Sequence, residues 1–162
     1  MEKDQIIILE DRGVIFVTGE DAKEYLQNII TNDIAKVDQN NTIHTALFSP
    51  QGKYLYEFFI IYADGGYLLD CDNEARESLI SVLSKYILRS NVKLRDLSSS
   101  YVIGILNVKK FNEIQSENNK STNTIIYRES PFFIDPRKKE LGARVLSSLE
   151  KLHLTIKRLN LK

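Results

Sequence analysis

Apolar and polar positions change period several times along the chain, and each change marks an element. Residues 13–18 (GVIFVT) form a short β-branched and aromatic run, the composition of a strand. Gly19 ends it. Asp21 followed by Glu24 resembles a capping box, and Ala22, Leu26, Ile29 and Ile30 then share one helical face. Thr31-Asn32-Asp33 stops that helix, because such side chains bond to nearby backbone. Two strands follow, 44–49 and 53–62, joined at Pro50-Gln51-Gly52. Asp64-Gly65-Gly66 signals a hairpin into a strand over 67–71. Asp72 or Asn73 then caps a helix whose apolar stripe is Ala75, Leu79, Val82, Leu83, Tyr86 and Ile87, and 92–97 is the next strand.

The order β-α-β-β-β-α-β becomes the split β-α-β unit of a ferredoxin-like fold once one middle strand is taken as an extension. The expected class is therefore α+β, an antiparallel sheet with two helices on one face, over residues 1–98. A partial second, β-rich subdomain is expected over 99–162. There, 101–108 (YVIGILNV) reads as a buried strand, and 112–124 as a polar loop with Ile114 its only aliphatic residue. Residues 125–127 and 132–134 are short strands, and Asp135-Pro136-Arg137 turns the chain toward a return strand over 141–145. Leu146, Leu149 and Leu152 suit a helix equally well; the hairpin is preferred.

Composition adds little until charge is mapped. Lys plus Arg and Asp plus Glu are both 22. From 136 to 162, however, eight basic residues face only Glu140 and Glu150, a net of +6 that leaves −6 on the preceding residues. A basic end can touch RNA or another polyanion, or be a solvated surface. Cys71 is the only cysteine, so no intrachain disulfide forms and a reducing cytoplasm is expected. His44 and His153 lie far apart with no second thiol, so no metal site is expected. MEKDQIIILEDRG has no signal-peptide pattern, and no apolar run approaches the ~20 residues of a membrane span. Neither G-x-x-x-x-G-K nor G-x-G-x-x-G occurs, and no serine sits in a nucleophile elbow.

The strand over 53–62 (KYLYEFFIIY) poses the chemical question. Side chains alternate faces along it, both faces are bulky, and Glu57 stands in its middle. The pattern predicts a central, covered strand. A buried carboxylate without a partner costs several kcal/mol or becomes neutral. Glu57 must then be paired within the framework, lie at an exposed edge, or face a cavity. In an aromatic pocket it would suit a flat heterocycle with ring N–H donors, with tyrosines as stacking faces.

Five linked segments, RGVIFVTGEDAKEYLQNIITND, HTALFSPQGKYLYEFFII, YLLDCD, KYILRSNVKLRD and FIDPRKKELGAR, together resemble the N-terminal part of the YgfZ-type folate-binding proteins. These belong with the tetrahydrofolate-dependent glycine-cleavage T-protein. The resemblance implies a ferredoxin-like first domain bordering a folate pocket, with tetrahydrofolate or a one-carbon derivative as ligand. It implies a role in building or maintaining iron–sulfur enzymes, with assembly or client proteins and tRNA as partners. Matched position by position, it implies folate-binding roles for Arg12, Asn32, Glu57, Tyr62, Asp70 and Asn73. Two departures qualify it. The acidic position that contacts the reacting folate nitrogen in T-proteins falls on Phe58, with Glu57 beside it, which argues against aminomethyl transfer. The family's Lys-Gly-Cys signature is absent and Cys71 does not replace it, so the chain is expected to be the front part of a longer or split protein. A folate-dependent aminomethyltransferase and a non-enzymatic protein- or RNA-binding module remain the alternatives.

Overall fold

A computed structural model describes residues 1–116 and 122–162. In chain order the elements are β1 (Ile6–Leu9), β2 (Arg12–Thr18), α1 (Ala22–Ile29), β3 (Ile43–Phe48), β4 (Tyr54–Ala63), β5 (Gly66–Asp72), α2 (Arg76–Ile87) and β6 (Lys93–Asp96). They continue with β7 (Val102–Leu106), α3 (Val108–Ser116), β8 (Thr124–Tyr127), β9 (Ser130–Ile134), β10 (Ala143–Ser147) and α4 (Leu149–Arg158). The chain divides into two compact units, Asp11–Asp38 with Thr42–Ser98, and Met1–Glu10 with Gln39–Asn41 and Ser99–Lys162.

The first of these holds an antiparallel sheet in the order β3-β4-β5-β2-β6. Taken without β3, this is the ferredoxin-like arrangement; β3 is the extension, added at the edge beside β4. The fold is α+β, as the hydrophobic periods predict. Register assigns the faces: Ile15, Phe58, Ile60, Leu69 and Cys71 point one way and pack with Tyr25 and Leu26 of α1 and Leu79 and Leu83 of α2. Tyr25 ties the helices by donating its hydroxyl to the Leu83 carbonyl at 2.7 Å. The opposite face carries Phe59, Ile61, Leu68 and Asp70, which are also buried.

Local signals were redirected rather than lost. Asp21 occupies the cap position of α1, its backbone oxygen accepting from Tyr25 N at 2.8 Å, but its side chain makes no bond to that helix; Oδ2 accepts from Asn91 N at 2.6 Å instead. Gly19 permits this turn: its φ is +118°, and a Cβ there would lie 2.0 Å from the Asn91 carbonyl oxygen. Asp72 Oδ1 accepts from Glu74 N at 2.8 Å and pins the turn into α2. After α1, Thr31 N donates to Ala46 O, Thr31 Oγ1 accepts from Ala46 N, and Asn32 Nδ2 donates to His44 O at 2.9 Å.

The second unit also has a five-stranded antiparallel sheet, β1-β7-β10-β9-β8. Its core joins Leu106, Phe132 and Val145 to Phe111 and Ile114 of α3 and Leu152 of α4. The preferred hairpin exists, since β9 pairs with β10, and the helix that competed with it follows as α4. One expectation is corrected. The stretch 112–124 is not wholly a loop: α3 runs to Ser116, because Asn107 starts a helix that buries Phe111 and Ile114, and Thr124 begins β8. Within that stretch, 117–121 lie outside the described residues. The apolar run at the N-terminus, to which the sequence pattern assigned no element, is a strand held by pairing with β7.

Candidate functional site

A hollow of about 240 Å³ opens in the first unit where β4, β5, the entry to β2 and the start of α2 meet. Arg12, Tyr54, Tyr56, Glu57, Cys71 and Asp72 line it, with Leu55, Ala75 and Leu79. The hollow exists because β4 is longer than its neighbour. Pairing with β5 begins only at Phe58, opposite Cys71, so Tyr54 to Glu57 overhang the β5 partner.

That overhang corrects the reading of Glu57. It is not inside a covered strand; its side chain is 50% exposed, with Oε2 3.6 Å from His44 Nε2. His44 in turn lies against Phe59, ring centroids 5.1 Å apart. Phe58, one residue on, is fully buried among the helix-facing core residues. The alternation inferred from sequence therefore holds, and the carboxylate and the phenyl ring face opposite sides.

The fully buried acid is Asp70. Arg12 Nε donates to its Oδ1 at 2.6 Å, and Arg12 Nη2 donates to its backbone oxygen at 3.0 Å. This bidentate hold fixes the guanidinium at the floor of the hollow and supplies a charge partner for a carboxylate with no exposure. At the rim, Glu57 and Asp72 leave the opening acidic. The Tyr54 hydroxyl has its pKa raised, first by burial and then by Glu57 and Asp72. The Cys71 thiol is pushed up to about 12, chiefly by burial and then by Asp70, so it stays protonated and inert at neutral pH.

The predicted residues distribute unevenly. Arg12 and Glu57 line the hollow, and Asp70 anchors Arg12. Asn73 sits beside Asp72, its Oδ1 accepting from Arg76 Nη1 at 2.7 Å, while Arg76 Nε reaches Asp96 Oδ2 at 3.0 Å. Asn32 binds the backbone of His44, whose ring neighbours Glu57. Tyr62 is apart: it lies near the far end of β4, about 17 Å along the strand at ~3.4 Å per residue, and stacks edge-on against Tyr67. From the sequence, Asp72 could coordinate a cation with Asp70 and Asn73, but a turn and helix cap explain it more simply. That it also borders the hollow depends on how far β4 overhangs β5, which leaves no mark in the local sequence. Among the described residues, no group of three or more His, Cys, Asp or Glu side chains is placed to hold a metal ion.

Comparison with known proteins supplies the rest. The chain is 34% identical over 153 residues to the iron–sulfur cluster assembly factor IBA57 homolog, mitochondrial, of Mycosarcoma maydis, covering 86% of this chain and 35% of that protein. It is 31% identical over 100 residues to the tRNA-modifying protein YgfZ of Hamiltonella defensa, covering 62% of this chain and 30% of that one. The crystal structure of glycine cleavage system aminomethyltransferase T from Bartonella henselae superposes with a TM-score of 0.74 at 13% identity, over 96% of this chain and 45% of that chain. The chain belongs with the YgfZ-type, T-protein-like proteins. No protein-family model matches it. This YgfZ-type chain spans about a third of the length of these curated relatives. Among its described residues, no helix is long and apolar enough to cross a membrane.

Proposed function

We propose that this YgfZ-type chain contributes one wall of a reduced-folate site in a protein that assembles or maintains iron–sulfur enzymes in a reducing compartment such as the cytoplasm. The observation that carries the assembly role is the 34% identity to an iron–sulfur cluster assembly factor across 86% of the chain. On this reading, tRNA modification, named for the Hamiltonella relative, depends on a maintained client enzyme.

The residues fit a flat heterocycle. Glu57 and Asp72 offer carboxylate acceptors to ring N–H groups, Tyr54 offers an aromatic face, and Arg12 is held by its bonds to Asp70. At about 240 Å³ the hollow is smaller than the ~300–1,000 Å³ usual for ligand pockets, so it can hold a ring but not a whole folate. Affinity of the chain alone should accordingly be weak, because an incomplete pocket gives up contacts. Aminomethyl transfer is disfavoured: the matched acidic position is Phe58, buried in the core, and Glu57 faces the other side.

Titration with 5-formyltetrahydrofolate, followed by tyrosine emission in a chain without tryptophan, tests the site. A saturable response is expected, weakened about tenfold by Glu57→Gln, the effect of one charged hydrogen bond. No saturable response, or an identical one in the variant, removes the assignment. Because Glu57 is half exposed, the substitution should change stability by less than about 0.5 kcal/mol, so a binding loss would not reflect unfolding.

A further inference from the structure

The sequence's basic end becomes a surface in the second unit. Ile6 and Ala143 are both in register with Leu106, so the start of β1, the end of β7 and the start of β10 lie at one end of the sheet. The chain's last residue returns there: Lys162 N donates to Asp4 O at 2.8 Å, and Ile6 N to Lys162 O at 2.9 Å. Asn107, which starts α3, donates its Nδ2 to Met1 O at 3.0 Å. The turn Lys139–Leu141 leads into β10, where a Cβ on Gly142 would sit 2.8 Å from the Leu106 carbonyl oxygen.

Six exposed cations therefore share this end: Lys109, Lys138, Lys139, Lys157, Arg158 and Lys162. Other cations nearby are already engaged. Lys110 Nζ pairs with Asp4 at 2.9 Å, Lys3 pairs with Glu113, and Arg137 and Arg144 converge on Asp135. Among the described residues, no ion pair holds any of the six; Lys162 acts on Asp4 only as a through-space charge. A helix C-terminus favours Lys157 and Arg158 but does not account for the lysines from two other segments.

We infer that this end of the sheet binds RNA through its phosphodiester backbone. Three separate segments bring the cations to one end of the sheet, a spread that suits a run of phosphates better than one small anion. Met1, Ile7 and Leu141, each about half exposed, are the large apolar side chains offered here, and a basic patch without an inserted helix or lipid chain holds a membrane weakly. A protein partner would need an anchoring pocket, and a hollow of about 550 Å³ in this unit lies at the other end of α4, beside Ser148 and Lys151. None of the six residues borders the hollow of Arg12 and Glu57, so this inference stands apart from the folate reading.

Anisotropy of a labelled tRNA transcript, titrated with the chain at several salt concentrations, is the test. With six phosphate contacts, affinity should fall roughly 300- to 2,000-fold between about 50 and 200 mM salt. Reversing four charges, with Lys138→Glu, Lys139→Glu, Lys157→Glu and Arg158→Glu, should lower the log–log salt slope by about 3 and abolish binding near physiological salt. An unchanged circular-dichroism melt shows that the variant is folded; if it is not, the pair Lys138→Gln and Lys139→Gln should still reduce the slope by about 1 to 2. Absence of binding by the wild-type chain at 50 mM salt, an unchanged slope in the folded variant, or tighter binding to phosphatidylserine vesicles would overturn it. Folate titration of the same variants should be unaltered, which separates failure here from failure of the folate site.

Discussion

Residues Asp11–Asp38 with Thr42–Ser98 carry 9 basic and 13 acidic side chains; the unit of Met1–Glu10, Gln39–Asn41 and Ser99–Lys162 carries 13 basic and 9 acidic. Each builds a five-stranded antiparallel sheet, yet they use buried charge differently. In the first, Arg12 and Asp70 are 58 residues apart, and their pairing ties β2 to β5. In the second, Asp135 is held by Arg137, two residues away, and by Arg144 across the hairpin loop. The first arrangement fixes which distant strands are neighbours; the second shapes a local turn. Similar ion pairs thus contribute to topology in one unit and to loop geometry in the other.

That contrast can be tested at several strengths. The largest effect should come from Phe111→Ala, which removes a fully buried ring that fixes α3 to its sheet; a loss of about 3–5 kcal/mol in urea unfolding is expected. Arg12→Leu should follow at on the order of 3 kcal/mol, since Asp70 would keep a buried charge without its guanidinium. A loss below about 1 kcal/mol would mean that the pair does not tie the strands.

Next come two opposite pH limbs. Burial pushes the Asp135 carboxyl up, but hydrogen bonds from Arg137 and the charge of Arg144 outweigh it, and its pKa is lowered. Its contribution is present above the ordinary carboxylate value of about 3.9 and is lost as pH falls through the lowered one. Asp135→Asn should flatten stability below about pH 4. For Cys71, the folded form keeps a proton that the unfolded form loses, so stability falls as pH rises from 9.0 toward about 12. Cys71→Ala should flatten that alkaline limb, read as the urea midpoint against pH. The smallest effect is Asn32→Ala, about 0.5–1.5 kcal/mol for the lost bond to His44 O, measured the same way.

The first unit was largely legible because its strands are continuous apolar runs and its two helices each carry one apolar stripe facing the sheet. The second was less so. β1 is defined by pairing Ile6 with Leu106, and α3 offers only Phe111 and Ile114 to the core amid polar residues. Neither signal exceeds what a loop can show. At the candidate site, alternation gave the correct opposed faces for Glu57 and Phe58. It could not show that β4 outruns β5 and leaves Glu57 half exposed, because strand overhang depends on a neighbour's length rather than on local pattern. The Arg12–Asp70 bond was hidden for a related reason: a distant charge partner leaves no periodic trace.

The turn after α1 has one more effect. Thr31 and Asn32 occupy the outward-facing groups of Ala46 and the His44 carbonyl, on the side of β3 away from β4. An incoming extended peptide would find those donors and acceptors already engaged, so the chain's own polar loop blocks intermolecular growth of the sheet from that border.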